Sequence, residues 1–262
     1  MPRLPSIYIP HGGGPSFFMT GDRKASFQAT EDFLRNIQDH LPAKPKAILI
    51  ITAHWETRIP SFTGGLNPEL IYDYYGFPPE TYTLKYAAPG LPALAKRAAD
   101  LIQQTGLPAL VDDDYGWDHG VFIPLKVMFP SAEIPVVAMS LHESLNPELH
   151  SQLGRALSPL RDEGVLIVGS GMSYHNLRNF ADYAAESYEF HDWTDQALAG
   201  SWDERCSRLS GWQMAPGGRA SHPREEHLLP LMVASGAGSD LPGRSLWRGA
   251  VGPTCLGAWA FD

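Results

Sequence analysis

Residues 47–55 read AILIITAHW, and the first six of them are almost wholly apolar and rich in isoleucine. A run of this kind predicts a β-strand that is buried on both faces, as in a parallel sheet covered by helices. His54 follows directly after the run. Because open α/β sheets bind ligands at the carboxyl ends of their strands, the stretch predicts an α/β fold with a functional histidine at the end of a central strand.

Other apolar runs of strand length recur along the chain and alternate with amphipathic segments. Strands are predicted at 6–10, 81–86, 109–111, 135–141, 164–169 and 254–261, and helices at 27–39, 91–105, 121–129, 147–161, 185–205 and 225–237. No internal repeat or linker interrupts this alternation. We therefore predict a single domain over residues 1–262, with a central, largely parallel or mixed sheet flanked by helices and a site at the C-terminal ends of its strands.

Composition and charge exclude several classes of protein. The 262 residues carry a formal net charge of −9 without any cluster of lysine or arginine, so nucleic acid and anionic membranes are not expected as partners. The two cysteines, Cys206 and Cys255, lie far apart, which excludes a disulfide framework, a zinc ribbon and a four-cysteine iron–sulfur site. Without a signal-peptide pattern or an apolar stretch of transmembrane length, a cytoplasmic location is expected.

The histidines are the most informative residues. Five of the ten lie just after an apolar run, in a glycine-containing loop or at a helix start: His11, His54, His119, His175 and His227. Neighbouring strands are about 4.8 Å apart, so histidines at adjacent strand ends can converge on one point. A set of imidazoles without cysteine suits a mononuclear site for a metal such as Fe(II) or Zn(II). Weaker candidates are His142, after the strand at 135–141, and His222, just ahead of His227.

The glycine run at 12–14 admits two other interpretations. HGGG at 11–14 is similar to the oxyanion loop of some esterases, but the Gly-x-Ser-x-Gly elbow is missing, since GSGMS at 169–173 has its glycine and serine in the wrong order. A dinucleotide fingerprint needs Gly-x-Gly-x-x-Gly, and Phe17 stands where the last glycine belongs. Both interpretations are set aside. The glycines predict a tight turn, which can also let the backbone approach a ligand closely.

Six segments of the chain resemble, in the same order, the class III extradiol ring-cleaving dioxygenases, in particular the DOPA 4,5-extradiol dioxygenase-like branch. The segments are PHGGGPS (10–16), AHW (53–55), YGFPPETYTLKYAAPG (75–90), WDHG (117–120), GSGMSYHNLR (169–178) and EEHLLPL (225–231). They span nearly the whole chain, so the resemblance implies a single catalytic domain. Many members of this branch read HGSP after the first histidine, so HGGGPS departs from the pattern in the adjoining turn while His11 is kept.

The resemblance implies a role for each of the five histidines. His11, His54 and His227 match metal ligands. His175 matches a histidine beside the metal that acts in acid–base chemistry, and His119 matches a second acid–base histidine. Whether His175 also touches the metal stays open.

The third ligand has an alternative. Relatives that act on protocatechuate have a glutamate where this chain has His227, and Glu226 is the adjacent carboxylate. Consecutive residues on a helix point about 100° apart, so we do not expect both to bind one metal. The match favours His227 as the ligand, with Glu226 behind it or as a favourable charge at a helix start.

The activity implied by the resemblance is Fe(II)-dependent extradiol cleavage of a catechol, DOPA-like or related, with O₂ to a muconic semialdehyde. Zn(II) can occupy the same ligands. Two alternatives remain at this point: a zinc-dependent hydrolase on the same scaffold, and a non-catalytic metal-binding protein. The aromatic segment 71–90 is expected to wall the substrate pocket, and the candidates for ring packing are Tyr72, Tyr74, Tyr75, Phe77 and Trp117. A monomer and a dimer are both compatible with the sequence.

Overall fold

The computed structural model describes residues 2–178 and 180–262, which form eight strands and nine α-helices. The strands are β1 (Ser6–Pro10), β2 (Ala47–Thr57), β3 (Ser61–Thr63), β4 (Leu110–Asp112), β5 (Val136–His142), β6 (Val165–Gly171), β7 (Arg244–Val251) and β8 (Thr254–Phe261). The α-helices are α1 (Gly21–Ser26), α2 (Gln28–Arg35), α3 (Pro92–Gln103), α4 (His119–Met128), α5 (Pro147–Leu157), α6 (Ala184–Leu198), α7 (Trp202–Ser210), α8 (Gly218–Ser221) and α9 (Leu229–Ala237). Short 3₁₀ helices occupy Ser16–Phe18, Ile37–His40, Pro79–Thr83, Ser158–Arg161 and Trp212–Met214. None of the helices in these ranges has the length and apolar character needed to cross a membrane.

The strands form one mixed sheet in the order β4-β3-β5-β2-β6-β1-β8-β7. The four central strands, β5, β2, β6 and β1, are parallel, whereas β3 and β8 run antiparallel to their central neighbours. This confirms the predicted α/β fold with a central mixed sheet flanked by helices. Because β2, β6 and β1 are parallel neighbours, the chain leaves all three at the same edge of the sheet, where such folds place their ligands.

Strand β2 is covered on both faces, as its apolar run predicts. Its side chains at positions 48 to 51 are fully buried. Leu49 and Ile51 belong to the core shared with helices α3, α5 and α9, while Ile48 and Ile50 belong to the core shared with α2 and α4. Burial of one such side chain contributes roughly 1.5–3 kcal/mol, so the four together make β2 a firm support for the residues at its C-terminal end.

An irregularity near the end of β2 places His54. Pairing with β6 ends at Thr52, and the register with β5 shifts between Ile51 and Glu56. Residues between these positions are an insertion in the ladder, and such bulges bend a strand and redirect its side chains. His54 therefore lies within the irregular end of the strand, which continues to Thr57, rather than after it.

The prediction of a strand at 81–86 is wrong. The segment begins in the 3₁₀ helix Pro79–Thr83 and has no ladder partner among the described residues. Side chains bind its backbone instead, because Tyr74 Oη donates to the Thr81 carbonyl (2.6 Å) and Tyr72 Oη donates to the Leu84 carbonyl (2.5 Å). Buried carbonyls need a partner, and here tyrosine hydroxyls supply what a neighbouring strand would have supplied.

The helix predicted at 225–237 begins later than expected. Helix α9 starts at Leu229, with Pro230 in its first turn. Proline has no backbone N–H to donate, so it is favoured at a helix start and marks the true beginning here. Glu226 and His227 consequently lie in the turn ahead of the helix. The side chains of these two residues are therefore not held about 100° apart by helix geometry.

Candidate metal centre and active-site cavity

Five histidines from distant parts of the chain converge at the C-terminal edge of the central strands. The ring centroids of His11, His54 and His227 are separated pairwise by 5.1, 5.2 and 4.9 Å. One ring nitrogen of each lies within 4.8 Å of the other two, so one metal ion can contact all three. His119 packs on His54 with centroids 4.0 Å apart, and His175 stacks on His227 at 3.3 Å. All five histidines singled out in the sequence are brought together, and their individual roles stay predictions.

His11 follows β1 and is held by the neighbouring strand. Its backbone N–H donates to the carbonyl of Gly171 on β6 (3.0 Å). The chain then turns at Gly12 and Gly14, which have φ values of 88° and 59°. Glycine adopts positive φ at little cost, so the HGGG run forms the tight turn that its composition predicts.

His227 is fixed through its backbone carbonyl. This oxygen accepts hydrogen bonds from Tyr8 Oη (2.8 Å) on β1 and from the Met172 N–H (3.2 Å) after β6. Two central strands therefore position the turn that carries the histidine. The close approach requires glycine at position 171, because a Cβ atom there would lie 2.1 Å from the His227 carbonyl oxygen.

Replacing Gly171 with alanine is expected to displace the turn that carries His227. The new Cβ would meet a backbone oxygen that cannot rotate away, and such overpacking costs about 1–3 kcal/mol. We expect a lower melting temperature and an affinity for a divalent metal that falls by at least about tenfold, measured by thermal unfolding and metal titration. Gly211→Ala is the control, because the nearest atom to a Cβ there is the Arg208 carbonyl oxygen at 3.5 Å. Unchanged metal affinity in Gly171→Ala would count against His227 as a ligand.

Asp73 supports two of the histidines, and it was not among the site residues predicted from the sequence. Its Oδ1 accepts from the backbone N–H (2.8 Å) and from Nδ1 (2.9 Å) of His119, and its Oδ2 lies 3.5 Å from His54 Nδ1. Burial alone would raise the pKa of Asp73, but the hydrogen bonds and charge of His119, together with His54, lower it. An ionised Asp73 favours the tautomers that carry the proton on Nδ1, leaving Nε2 of each ring available.

Glu226 supports two more of the five histidines in the same way. Its Oε1 lies 3.0 Å from His227 Nδ1 and 3.2 Å from His175 Nδ1. Arg224 donates to both oxygens of Glu56 at 2.6 Å, and its Nη1 also lies 3.3 Å from Glu226 Oε2. With both oxygens engaged in this way, Glu226 acts as a hydrogen-bond acceptor behind the rings. The arrangement favours His227 over Glu226 as the third ligand, which stays a prediction.

The three converging imidazoles are held in the neutral form. Burial, reinforced by the neighbouring histidines, lowers the pKa of His11 and of His227 well below the usual histidine value. Burial and the nearby His119 lower the pKa of His54 to about 3. Neutral imidazole is the form that binds a metal. His227 Nε2 is buried without a hydrogen-bond partner in the described structure, and a metal ion at this point would satisfy it. The residues therefore fit a metal held by three imidazoles.

Asp118 is a second acidic residue that the sequence analysis missed. Its Oδ1 accepts from Thr52 Oγ1 (2.7 Å), and Thr52 Oγ1 in turn accepts from the His54 N–H (3.2 Å). Burial, with the charge of Asp73, raises the pKa of Asp118 to about 6. Perturbed carboxyl groups of this kind concentrate at functional sites. Its place beside His119 in WDHG is the signal that was available.

The histidine cluster opens into a cavity of about 810 Å³, and all five histidines line it. Tyr74, Tyr75 and Phe77 from the aromatic segment 71–90 form part of its wall, as expected. Tyr72 and Trp117 belong to the core instead, since Tyr72 packs on Phe122 and Trp117 is fully buried. The remaining apolar wall comes from Phe27 between α1 and α2, from the segment after β6, and from the end of β7 with the turn that follows it: Met172, Tyr174, Leu177, Phe180, Val251 and Pro253. A mostly apolar cavity with a few convergent polar groups is typical of a small-molecule site.

The two weaker histidine candidates lie outside the cluster. His142 Nδ1 is hydrogen-bonded to the Ser144 hydroxyl (2.8 Å). His222 is buried, with Nε2 donating to the Ser173 carbonyl (3.0 Å) and the ring edge-on to Trp212. Burial lowers the pKa of His222 to about 3. Local hydrogen bonds and packing account for both residues.

Comparison with known proteins identifies the family. The family described as the catalytic LigB subunit of aromatic ring-opening dioxygenase matches residues 5–250. Dioxygenase tasH of Hapsidospora irregularis is 40% identical over 257 residues, covering 89% of this chain and 78% of that protein. The 4,5-DOPA dioxygenase extradiol of Portulaca grandiflora is 39% identical over 238 residues, covering 86% of each. A crystal structure of an uncharacterized protein from Escherichia coli K12 is similar with a TM-score of 0.79 at 29% identity, covering 99% of this chain and 100% of that one. The histidine-lined cavity thus lies in a chain that belongs to the class III extradiol dioxygenases, enzymes of the aromatic ring-opening dioxygenase family.

Proposed function

We propose that this enzyme uses one Fe(II) ion to cleave the ring of a DOPA-like or related catechol with O₂, giving a muconic semialdehyde. The observation that carries the proposal is the convergence of three neutral imidazoles, His11, His54 and His227, in a cavity walled by aromatic side chains. Relatives from Portulaca grandiflora and Beta vulgaris that are named 4,5-DOPA dioxygenase extradiol, at 39% and 38% identity, support this class of substrate.

The ligand set proposed for the metal is His11, His54 and His227. The Nε2 atoms of His11 and His54 face each other at 3.4 Å, and His227 Nδ1 is engaged by Glu226, which leaves its Nε2 for the metal. Bound iron supplies Lewis acidity toward the catechol oxygens and a redox path to O₂, whereas Zn(II) on the same ligands has no redox chemistry. A set of only three protein ligands leaves coordination positions for substrate and O₂.

His175 is the proposed base for the catechol hydroxyl. Its Nδ1 is engaged by Glu226, so Nε2 is the ring nitrogen left to receive a proton in the cavity. Burial alone would raise the pKa of Glu226, but the hydrogen bond from His175 and the charges of His175 and Arg224 lower it. The resulting carboxylate stabilises the imidazolium that forms when His175 accepts the proton.

His119 is the proposed second acid–base group. Asp73 holds both its backbone N–H and its Nδ1, so the ring has one orientation and presents Nε2 to the cavity. The ring lies on the side of His54, whereas His175 lies on the side of His227. Two acid–base groups on opposite sides of the cluster allow one to take a proton from the substrate while the other delivers a proton during ring opening.

The aromatic wall orients the substrate ring and limits the access of water. Tyr74 packs edge-on to His119, with centroids 5.8 Å apart, and Phe77 packs edge-on to Tyr74 at 5.4 Å. An aromatic ring bound against these groups gains stacking contacts of about 0.5–1.5 kcal/mol each.

Neither the zinc hydrolase nor the non-catalytic protein gains support from the relatives, which are named as dioxygenases.

Reconstitution tests the proposal directly. Loaded anaerobically with Fe(II), the enzyme is expected to turn a catechol such as DOPA into a yellow product when oxygen is admitted, with one O₂ consumed per ring. Oxygen uptake and visible absorbance measure this. The Zn(II)-loaded protein is the control and should consume no oxygen, because zinc is not redox-active. Bound iron without oxygen uptake on any catechol would contradict the proposed activity.

A further inference from the structure

Arg23 stands out among the residues that line the cavity. Apart from the histidines, the charged side chains in the described lining are Asp22 and Arg23, both on helix α1. The Arg23 guanidinium lies over the Phe77 ring, 4.7 Å from its centroid. No ion pair to Arg23 is found within residues 2–178 and 180–262. The guanidinium therefore keeps its hydrogen-bond donors available on the cavity side.

Neighbouring contacts explain how α1 is held against the cavity. Lys24, the next residue, forms an ion pair with the buried Glu31 and donates to the Phe17 carbonyl (2.5 Å). These two contacts anchor the helix to the 3₁₀ helix Ser16–Phe18 and to α2. The Phe77 ring then supports the guanidinium through a cation–π contact. Arg23 thus lies in the cavity wall against Phe77, although it is exposed to solvent.

A contact with the turn that follows His11 places Arg23 near the histidine cluster. Arg23 Nη2 lies 3.7 Å from where a Cβ on Gly13 would stand. Gly13 is two residues from His11, and consecutive Cα atoms are about 3.8 Å apart, so the two Cα atoms are at most about 7.6 Å apart. Arg23 and the five histidines line the same cavity, so a catechol whose hydroxyls face the histidines shares that cavity with the guanidinium.

We propose that Arg23 is a specificity-determining residue that binds a carboxylate on the side chain of the catechol substrate. A guanidinium binds a carboxylate through two parallel hydrogen bonds, and Arg23 is the guanidinium among the described residues of the cavity wall. The chain has a formal net charge of −9, which disfavours anionic ligands unless a local cation receives them. This inference rests on the proposed catechol cleavage, and it adds the side chain that selects among catechols.

Steady-state kinetics with two substrates test the proposal. For 3-(3,4-dihydroxyphenyl)propionate, Arg23→Gln is expected to raise KM on the order of tenfold with little change in kcat. For 4-methylcatechol, which has no carboxylate, KM should change less than about twofold. Arg23→Lys should recover part of the affinity for the acid, because lysine keeps the positive charge but cannot form two parallel hydrogen bonds. An equal rise of KM for both substrates, or no rise for the acid, overturns the proposal.

A matched control and a binding measurement separate this inference from the proposed activity. Arg58→Gln removes the same charge from a side chain that is 87% exposed and not part of the cavity lining, and it should leave both KM values unchanged. Calorimetry with 3-(4-hydroxyphenyl)propionate, which is not a catechol, should show about tenfold weaker binding to Arg23→Gln than to the unchanged enzyme. If that loss is seen while no catechol is cleaved, the proposed activity fails and the carboxylate site stands. Equal binding to both proteins overturns the carboxylate site.

Discussion

Replacing His54 with alanine is expected to abolish tight binding of a divalent metal. The substitution removes one of three converging imidazoles and leaves two, and even groups that only support a ligand typically contribute 10–100-fold to metal affinity. We therefore expect a loss of at least about 100-fold. Equilibrium dialysis with Fe(II) under anaerobic conditions, followed by metal analysis of the protein, measures it. Ring cleavage should be lost in parallel.

The matched control for this change is His142→Ala. It removes an imidazole that also belongs to a β-strand end but is bonded to Ser144 and lies outside the cluster, so metal content should be unchanged. Far-UV circular dichroism checks that both variants remain folded. Retention of metal in His54→Ala, combined with its loss in Glu226→Gln, would show that the metal is centred on Glu226 instead.

Replacing His175 with alanine is expected to leave the metal bound and to lower kcat. Its Nδ1 is engaged by Glu226, and its ring stacks on His227 at an interplanar angle of 16°. His175 can therefore support the proposed ligand His227 without binding the metal itself. A positioned acid–base group typically contributes 10²–10⁴-fold, so we expect kcat to fall by about that factor. Single-turnover kinetics with the iron-loaded enzyme, alongside metal analysis, separate catalysis from binding.

His175→Phe refines this experiment. Phenylalanine keeps a flat ring to stack on His227 but cannot transfer a proton, so it should bind metal as the unchanged protein does and be as slow as the alanine variant. Loss of metal in both variants would place His175 among the ligands. Near-normal kcat in either variant would leave His119 as the acid–base group and remove His175 from that role.

The strands that form the centre of the sheet were predictable, as were β4 and β8, whereas β3 and β7 were not. The apolar runs of β1, β2, β5 and β6 are buried on both faces, which is what a run of consecutive apolar residues indicates. Strand β7 reads RSLWRGAV and is mostly half-buried or exposed. Its sequence has no continuous apolar run, and its pairing with β8 makes it a strand. The helix predicted at 185–205 divides into α6 and α7, with Ser201 starting a new helix through a capping box with Glu204.

The sequence by itself determined which histidines meet. Apolar runs that end near His11, His54 and His175 predict buried parallel strands, and the common carboxyl edge of such strands brings these histidines together. Only the tertiary structure decided what surrounds them. Asp73 contacts His119, which is 46 residues away along the chain, and Arg224 binds Glu56, which is 168 residues away. Contacts of this kind produce no periodic pattern in the sequence. Strand burial follows from local composition, whereas hydrogen-bond partners depend on where the folded chain places each side chain.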